Sequence, residues 1–540
     1  MTMFPGLMQD WPLTINHFLD RARRIYHRKT IVTKTVTGMH RETYEEFGNR
    51  VERLAAALAG LGVRPGARVA TFAWNSFRHL EVYFAAPCMG AVLHTVNIRL
   101  FPEQIVFICN HAEDEVAFVD ASVWPLFEKL RPHLKTIRHV IVMPDVPMPA
   151  LPPGTIDYEA LLAAAPASFP WPRLDENSAA GMCYTSGTTG NPKGVVYSHR
   201  AIVLHSLVQA QSDLLAVNER DVCLSIVPMF HVNAWGLPFT GTMIGATQVY
   251  PSHFMTPKDL LGLIEQERVT FVGGVPTIVG AMYQQLKQQP VDVSSLRSVA
   301  IGGSALPQSL MLGFERDFGV KLVHAWGMTE TTPVGTICNL KSNMDGLSPG
   351  EQLAIRLKQG LPVPCVEVRV VDEAGTELPW DGKSAGELQV RGPWIIREYY
   401  NDPRSAECFM DGWFRTGDVA NIDAEGYVQL VDRTKDMVKS GGEWISSVDL
   451  ENAIMGHPKV AEAAVIAVAH PKWTERPMAC VVARDPSLTR DEVRHFLKGK
   501  VADWWLPDDV VFIESVPKTS VGKFDKKALR ERFKDHKLPH

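Results

Sequence analysis

Residues 184–194 read YTSGTTGNPKG and place three glycines, four serine or threonine hydroxyls and one lysine within eleven positions. Glycines let successive backbone N–H groups turn toward one point, the hydroxyls add donors, and Lys193 brings a positive charge to the end of the loop. Such a nest suits the oxyanions of a polyphosphate. The spacing is not that of a Walker loop, because Pro192 precedes Lys193 and Gly194 follows it. A flexible surface loop is the bland alternative, and the pattern by itself names no nucleotide. Downstream stand Glu330 in WGMTE, Asp418 closing GWFRTGD, His231 and Trp235 in PMFHVNAWG, and the lysines 439 and 523. Taken singly, each has an ordinary reading: a surface carboxylate, a turn cap, core packing, solvated charge.

Composition removes several other classes. The 55 Lys and Arg against 60 Asp and Glu leave a formal charge of −5, with no electrostatic case for nucleic acid or an anionic membrane. The basic run DKKALRERFKDHK at 525–537 is interrupted by acids and reads as a solvated terminal helix. The eight cysteines form no C-x-x-C pair, which argues against a zinc site and a disulfide framework. The N-terminus lacks the apolar segment of a signal peptide, and no segment approaches the ~20 apolar residues of a membrane span. The expectation is a reduced, soluble, cytoplasmic protein, with peripheral membrane contact left open.

These residues must be positioned by folded elements, and 540 residues call for at least two domains. Tyr44, Phe47, Val51, Leu54, Leu58 and Leu61 recur every three or four residues, the stripe of an amphipathic helix. Thr43 and Glu46 form a capping-box signature at its start. The apolar runs at 68–73, 91–96, 115–120 and 139–143 read as strands separated by helical stretches such as 102–111, which implies a largely parallel, helix-covered sheet. A proline-rich linker at 143–154 is expected to close the first lobe. A strand, glycine turn and helix follow at 298–319. Beyond about 365 short β-type pieces dominate, and after Asp436 a compact mixed segment carries a helix capped by Thr489 and Glu492.

The ordered set YTSGTTGNPKG, VPMFHVNAWG, GGSA, WGMTE, GWFRTGD, DRTKDMVKSGGEWISSVDLE and PKTSVGKFDK resembles the adenylate-forming superfamily of acyl-CoA synthetases, luciferases and peptide-synthetase adenylation domains. The likeness spans nearly the whole chain and is closest to bacterial medium- and long-chain fatty acyl-CoA synthetases. It implies an α/β fold: a large N-terminal domain of mainly parallel helix-covered sheets with a small β-barrel-like part (1–431), a hinge (432–436) and a small mobile α+β C-terminal domain (437–540).

The resemblance also assigns roles. Thr185, Ser186, Gly187, Thr188, Thr189, Gly190 and Lys193 would cradle the phosphates of ATP, and Thr329 would touch the α-phosphate. Glu330 would hold Mg2+ with the Thr185 hydroxyl. Gly303, Ser304, His324 and Ala325 would wall the adenine, with Trp326 stacking where many relatives carry Tyr. Asp418 would accept the ribose hydroxyls, aided by Arg433. Lys523 would bridge carboxylate and α-phosphate, whereas Lys439, Gly441, Gly442 and Trp444 would serve thioester formation on the CoA side after a rotation near Lys435. His231 would orient the substrate carboxylate, and Trp235 would gate the acyl tunnel. Gly273, Gly274 and Gly280 could leave room for an alkyl chain or serve close packing. A likeness of GGSAL (302–306) to a carrier-protein attachment site fails for want of a preceding His or Asp, and the chain ends too soon after Lys523 to hold a carrier domain. The expected activity is an AMP-forming fatty acid–CoA ligase acting with ATP, Mg2+ and coenzyme A. A ligase for short or aryl acids is the alternative, and a luciferase-like adenylate oxidase a more distant one. By the same resemblance the chain would form a homodimer.

Overall fold

A computed structural model describes residues 4, 6–185, 191–433, 435–440, 443–519 and 523–539. The chain forms two compact units. One takes Met1–Thr185, Gly194–Ser212 and Ala216–Phe254; the other takes Ser186–Lys193, Asp213–Leu215 and Met255–His540.

In the first unit, described strands line up in one sheet in the order Ile156–Asp157, His139–Met143, Asp114–Asp120, Arg68–Phe72, Val92–Thr95, Ala179–Tyr184, Gly194–Ser198. All pairings are parallel except the last, which is antiparallel. Val69, Ala70, Phe72 and Val116 to Val119 are buried with no exposed alternation, as a sheet covered on both faces requires. Val222–Ser225, Thr247–Tyr250, Thr30–Thr35 and Gly38–Thr43 form a second run. The expected amphipathic helix is Tyr44–Gly60. Thr43 Oγ1 accepts from the Glu46 N–H at 3.2 Å, and Glu46 Oε2 accepts from the Thr43 N–H at 2.7 Å. Tyr44, Phe47, Val51, Leu54 and Leu58 are fully buried, as the stripe required.

The proline-rich linker does not close a lobe. The chain leaves the sheet after His139–Met143 and returns to the edge of the same sheet at Ile156–Asp157, parallel to it. Its prolines remove donors and helix propensity, which makes a surface crossing as naturally as a domain boundary.

The second unit begins with parallel Phe271–Gly274, Ser298–Ile301 and Lys321–Gly327, to which Val334–Ile337 and Leu361–Pro362 add antiparallel. An antiparallel sheet follows, built from Glu367–Val371, Gly386–Arg391, Trp413–Ile422, Phe409–Met410 and Val428–Arg433. The C-terminal part has a sheet of its own, in which Val460–His470 pairs antiparallel with Thr474–Ala483. Its residues alternate between two cores. Ala463, Val465, Ala479 and Val481 pack with Leu450, Ile454, Val493 and Leu497, whereas Ala464, Ile466, Met478 and Cys480 pack with Leu529. The terminal basic run is therefore not simply solvated. Its helix, Lys526–Arg532, buries Leu529 and Lys526, the latter paired with Glu451 at 2.7 Å. Among the described residues no helix is long and apolar enough to cross a membrane.

A charged cluster lies inside the first unit. Arg50 bonds Glu81 at 2.6 Å and Glu159 at 3.0 Å, and Arg78 bonds Glu159 at 2.7 Å. Glu42, 3% exposed, has no hydrogen-bond partner on either carboxyl oxygen among the described residues, and burial pushes its pKa from 4.5 up to about 8. An acid with a raised folded pKa stays protonated where the unfolded chain has already ionised, so it draws stability down as pH rises from about 4.5 toward about 8. Glu42→Gln removes that ionisation. The gain of the variant over the parent should be smallest near pH 4 and grow toward pH 8 in urea unfolding; a gap independent of pH would refute the assignment.

Candidate active site

The strand Lys321–Gly327 carries His324, Ala325 and Trp326 and runs into the short turn Thr329–Thr331, which presents Glu330. Glu330 is only 7% exposed. Its Oε1 accepts from the Tyr399 hydroxyl at 2.6 Å, and its carbonyl accepts from the Ile396 N–H at 2.8 Å. Burial, and then the Glu330 carboxylate, push the Tyr399 phenol far above its usual range, so the hydroxyl stays a donor. The Lys193 ammonium stands 4.5 Å above the Tyr399 ring and donates to Cys408 Sγ at 3.5 Å. The basic end of the glycine-rich loop and the buried acid thus share one tyrosine.

Asp418 lies on Trp413–Ile422, directly opposite Arg433 in antiparallel register. It is 2% exposed, and both of its oxygens are engaged: Oδ1 by Arg433 Nε at 2.9 Å and Oδ2 by Trp326 Nε1 at 2.9 Å. Lys523 reaches the same region. The Thr519 N–H donates to the Lys523 carbonyl at 2.7 Å, and the Lys523 N–H donates to Thr519 Oγ1 at 3.2 Å. Burial above all, and then Arg433, press the Lys523 pKa down to about 8, while Asp418 and Glu330 pull it up. Gly303 takes a φ of +85°, which favours glycine, and a methyl there would lie 3.2 Å from Val275 Cγ1 and in ordinary contact, 3.5 Å, with Lys523 Cε, so the lysine side chain passes beside this turn. His324 is buried and held neutral by that burial, with Nδ1 2.9 Å from the Leu357 carbonyl. The structure therefore gathers Glu330, Asp418, Arg433, Lys523, Gly303 and Trp326.

Lys439 has other surroundings. It faces Trp444 across the hairpin of Val438–Ser440 and Glu443–Ile445, with its ammonium 5.0 Å above an indole that is 41% exposed. Around the expected hinge, Asp432 Oδ2 accepts from the Ser447 N–H at 2.6 Å, Ser446 Oγ donates to the Val431 carbonyl at 2.5 Å, and Asp436 pairs with Arg530 at 2.6 Å. Lys435 is exposed, and partial desolvation above all lowers its pKa.

His231 and Trp235 belong to the first unit. They bracket a turn in which Val232, Asn233, Ala234 and Trp235 all take positive φ, 39°, 56°, 48° and 58°. Consecutive non-glycine residues in this region cost roughly 1–2 kcal/mol each, so side chains must hold them. Gln209 Nε2 donates to the Trp235 carbonyl at 2.7 Å, and Asn233 Oδ1 lies 3.4 Å from the Tyr83 hydroxyl. Gly280 has open space where a side chain would be, whereas Gly273 and Gly274 lie in a buried strand.

Ser186, Gly187, Thr188, Thr189 and Gly190, and likewise Gly441 and Gly442, fall outside the described residues. Thr185, Thr329 and Ser304 are described and partly exposed or exposed. Sequence reasoning missed Tyr399, the Asp432–Ser447 bond and the buried Lys526. Asp432, Ser447 and Lys526 stood within quoted motifs, whereas Tyr399 stood in none.

The chain gathers Glu330 and Lys193 around Tyr399, and holds Asp418 between Arg433 and Trp326, and it belongs to the family of AMP-binding enzymes. The AMP-binding enzyme description matches residues 19–400 and the AMP-binding enzyme C-terminal domain matches 449–523. The chain is 50% identical to the long-chain-fatty-acid–CoA ligase of Thermus thermophilus, over 99% of this chain and 98% of that one. It is 44% identical to the 3-methylmercaptopropionyl-CoA ligase of Ruegeria pomeroyi, over 98% and 99%. Among solved structures, ATP-bound MatB from Rhodopseudomonas palustris matches with a TM-score of 0.83 at 27% identity, over 97% of this chain and 99% of that one.

Removing the Tyr399 hydroxyl leaves a buried carboxylate oxygen without its donor, a loss on the order of 1–3 kcal/mol. Tyr399→Phe should therefore lower the unfolding free energy by that amount in urea titration at pH 7; an unchanged midpoint would show that Glu330 does not depend on this bond.

Proposed function

We propose that the chain is an AMP-forming acid–CoA ligase acting on medium- to long-chain fatty acids. The carboxylate attacks the α-phosphorus of ATP, the bond to the β-phosphate bridging oxygen breaks, and pyrophosphate leaves. The coenzyme A thiol then loses its proton and attacks the acyl carbon, and AMP departs. The observation that carries the reading is that Lys523 passes beside the Gly303 turn and lies within electrostatic reach of Asp418, Arg433 and Glu330. Two anions must meet in the first step, and a buried ammonium neutralises their repulsion far better than an exposed one. The two curated relatives, named as CoA ligases for a long-chain fatty acid and for 3-methylmercaptopropionate, support the reaction class.

In this reading Thr329, Lys193 and the hydroxyls and backbone of 185–190 grip the triphosphate. Gly303, Ser304, His324, Ala325 and Trp326 border the adenine, and Asp418 with Arg433 takes the ribose. His231 orients the carboxylate behind the Trp235 gate. Glu330 is a single buried carboxylate, which fits Mg2+, an ion held by one or two carboxylates together with substrate phosphates rather than by a full protein cage. Glu330, with the Thr185 hydroxyl, would hold it, and the ion would offset charge on the phosphate oxygens. Lys439, Trp444 and the Gly441–Gly442 turn would serve the thiol step after residues 437–540 rotate about the 432–436 hinge at Lys435. We take the chain as a cytoplasmic homodimer, on its resemblance to dimeric long-chain synthetases. The 44% identical relative keeps a short-acid ligase as the second reading; pyrophosphate release with saturated acids from propionate to stearate separates the two.

Lys523→Ala should abolish carboxylate-dependent pyrophosphate release, whereas Lys439→Ala should preserve it and slow acyl-CoA formation. Full pyrophosphate release by the Lys523 variant would sink the mechanism. Because the free-protein pKa of Lys523 is pressed to about 8 and the charged form is the working one, kcat/KM for pyrophosphate release without CoA should fall as pH rises through about 8. Lys523→Arg, which keeps its charge, should lose that descending limb even if its plateau is lower.

A further inference from the structure

We propose that Trp326 is the positioning residue for the Asp418 carboxylate: its indole N–H holds the acid in the orientation that receives the nucleotide ribose. The inference rests on the reading of Asp418 as the ribose acceptor and gives Trp326 a duty that stacking on adenine does not require.

A carboxylate as buried as Asp418 needs donors, and it has two. They are unequal. Arg433 Nε reaches Oδ1 at 2.9 Å from a flexible side chain, at the end of a strand that runs into the proposed hinge and itself within 432–436. Trp326 Nε1 reaches Oδ2 at 2.9 Å from a ring that cannot turn away: the residue is 6% exposed, and a methyl at Gly335 would run into the indole. Trp326 is also fixed by pairing with Thr336 in the sheet. The indole is thus the donor that persists whatever Arg433 does. Two donors leave a carboxylate with lone pairs to spare, since it offers about four acceptor sites. One oxygen on each side can then take a hydroxyl of a cis-diol. Phenylalanine keeps an aromatic face at this position and loses the donor, so Asp418 is held by Arg433 alone.

The test is calorimetric binding of ATP and of 2′,3′-dideoxyATP to the full chain. The parent should bind ATP more tightly than the dideoxy nucleotide. Trp326→Phe should weaken ATP by about tenfold, the scale of one hydrogen bond to a charged group, and weaken dideoxyATP far less, so that the preference shrinks. A ring that only stacks would weaken both nucleotides alike and leave the preference intact, and that result overturns the proposal. A parent with no preference at all overturns the ribose reading of Asp418, and the proposal with it. Trp326→Leu also lacks the donor, carries the same expectation for the preference, and decides the matter if the phenylalanine variant does not fold.

Discussion

A lysine withdrawn from water keeps its proton only where acids stand near it, and the second unit is organised around that constraint at Lys523. Burial and the neighbouring Arg433 work against the ammonium, while Asp418 and Glu330 work for it. Desolvated charges of both signs are tolerable only when each is partnered, so the arrangement must be delivered by rigid elements. Strand register supplies part of it, with Asp418 and Arg433 facing each other across two antiparallel strands.

Both acids are further oriented by aromatic side chains that bring a polar tip into an apolar wall: Tyr399 through its hydroxyl to Glu330, and Trp326 through its indole N–H to Asp418. A carboxylate held by a packed ring is pre-organised, since its direction need not be established when a ligand arrives. Lys193, 4.5 Å above the Tyr399 ring, brings the end of the glycine-rich loop to the tyrosine that serves Glu330.

The other lysine of the proposed mechanism differs in environment. Lys439 sits on an exposed hairpin over a half-exposed indole, where water screens its charge. One small segment therefore carries a desolvated and a solvated lysine, which agrees with two proposed duties performed in two poses. The bonds from Val431 and Asp432 to Ser446 and Ser447 fasten the described pose across the proposed hinge.

The amino-acid sequence by itself determined what local pattern controls. The helix Tyr44–Gly60 with its capping box and the strands at 68–72, 92–95, 114–120 and 139–143 follow from periodicity and neighbouring side chains, which act within a few residues. The ordered motifs likewise picked out Glu330, Asp418 and Lys523 by type and order along the chain. Only the tertiary structure decided that the proline-rich segment returns to its own sheet, that Lys526 is buried against Glu451, and that four residues around Asn233 turn left-handed with no glycine among them. It alone also joined Trp326 to Asp418, 92 residues apart. The physical reason is common to all of these: each depends on partners distant in the chain, whose direction is set by sheet register and packing and leaves no trace in the spacing of neighbouring residues.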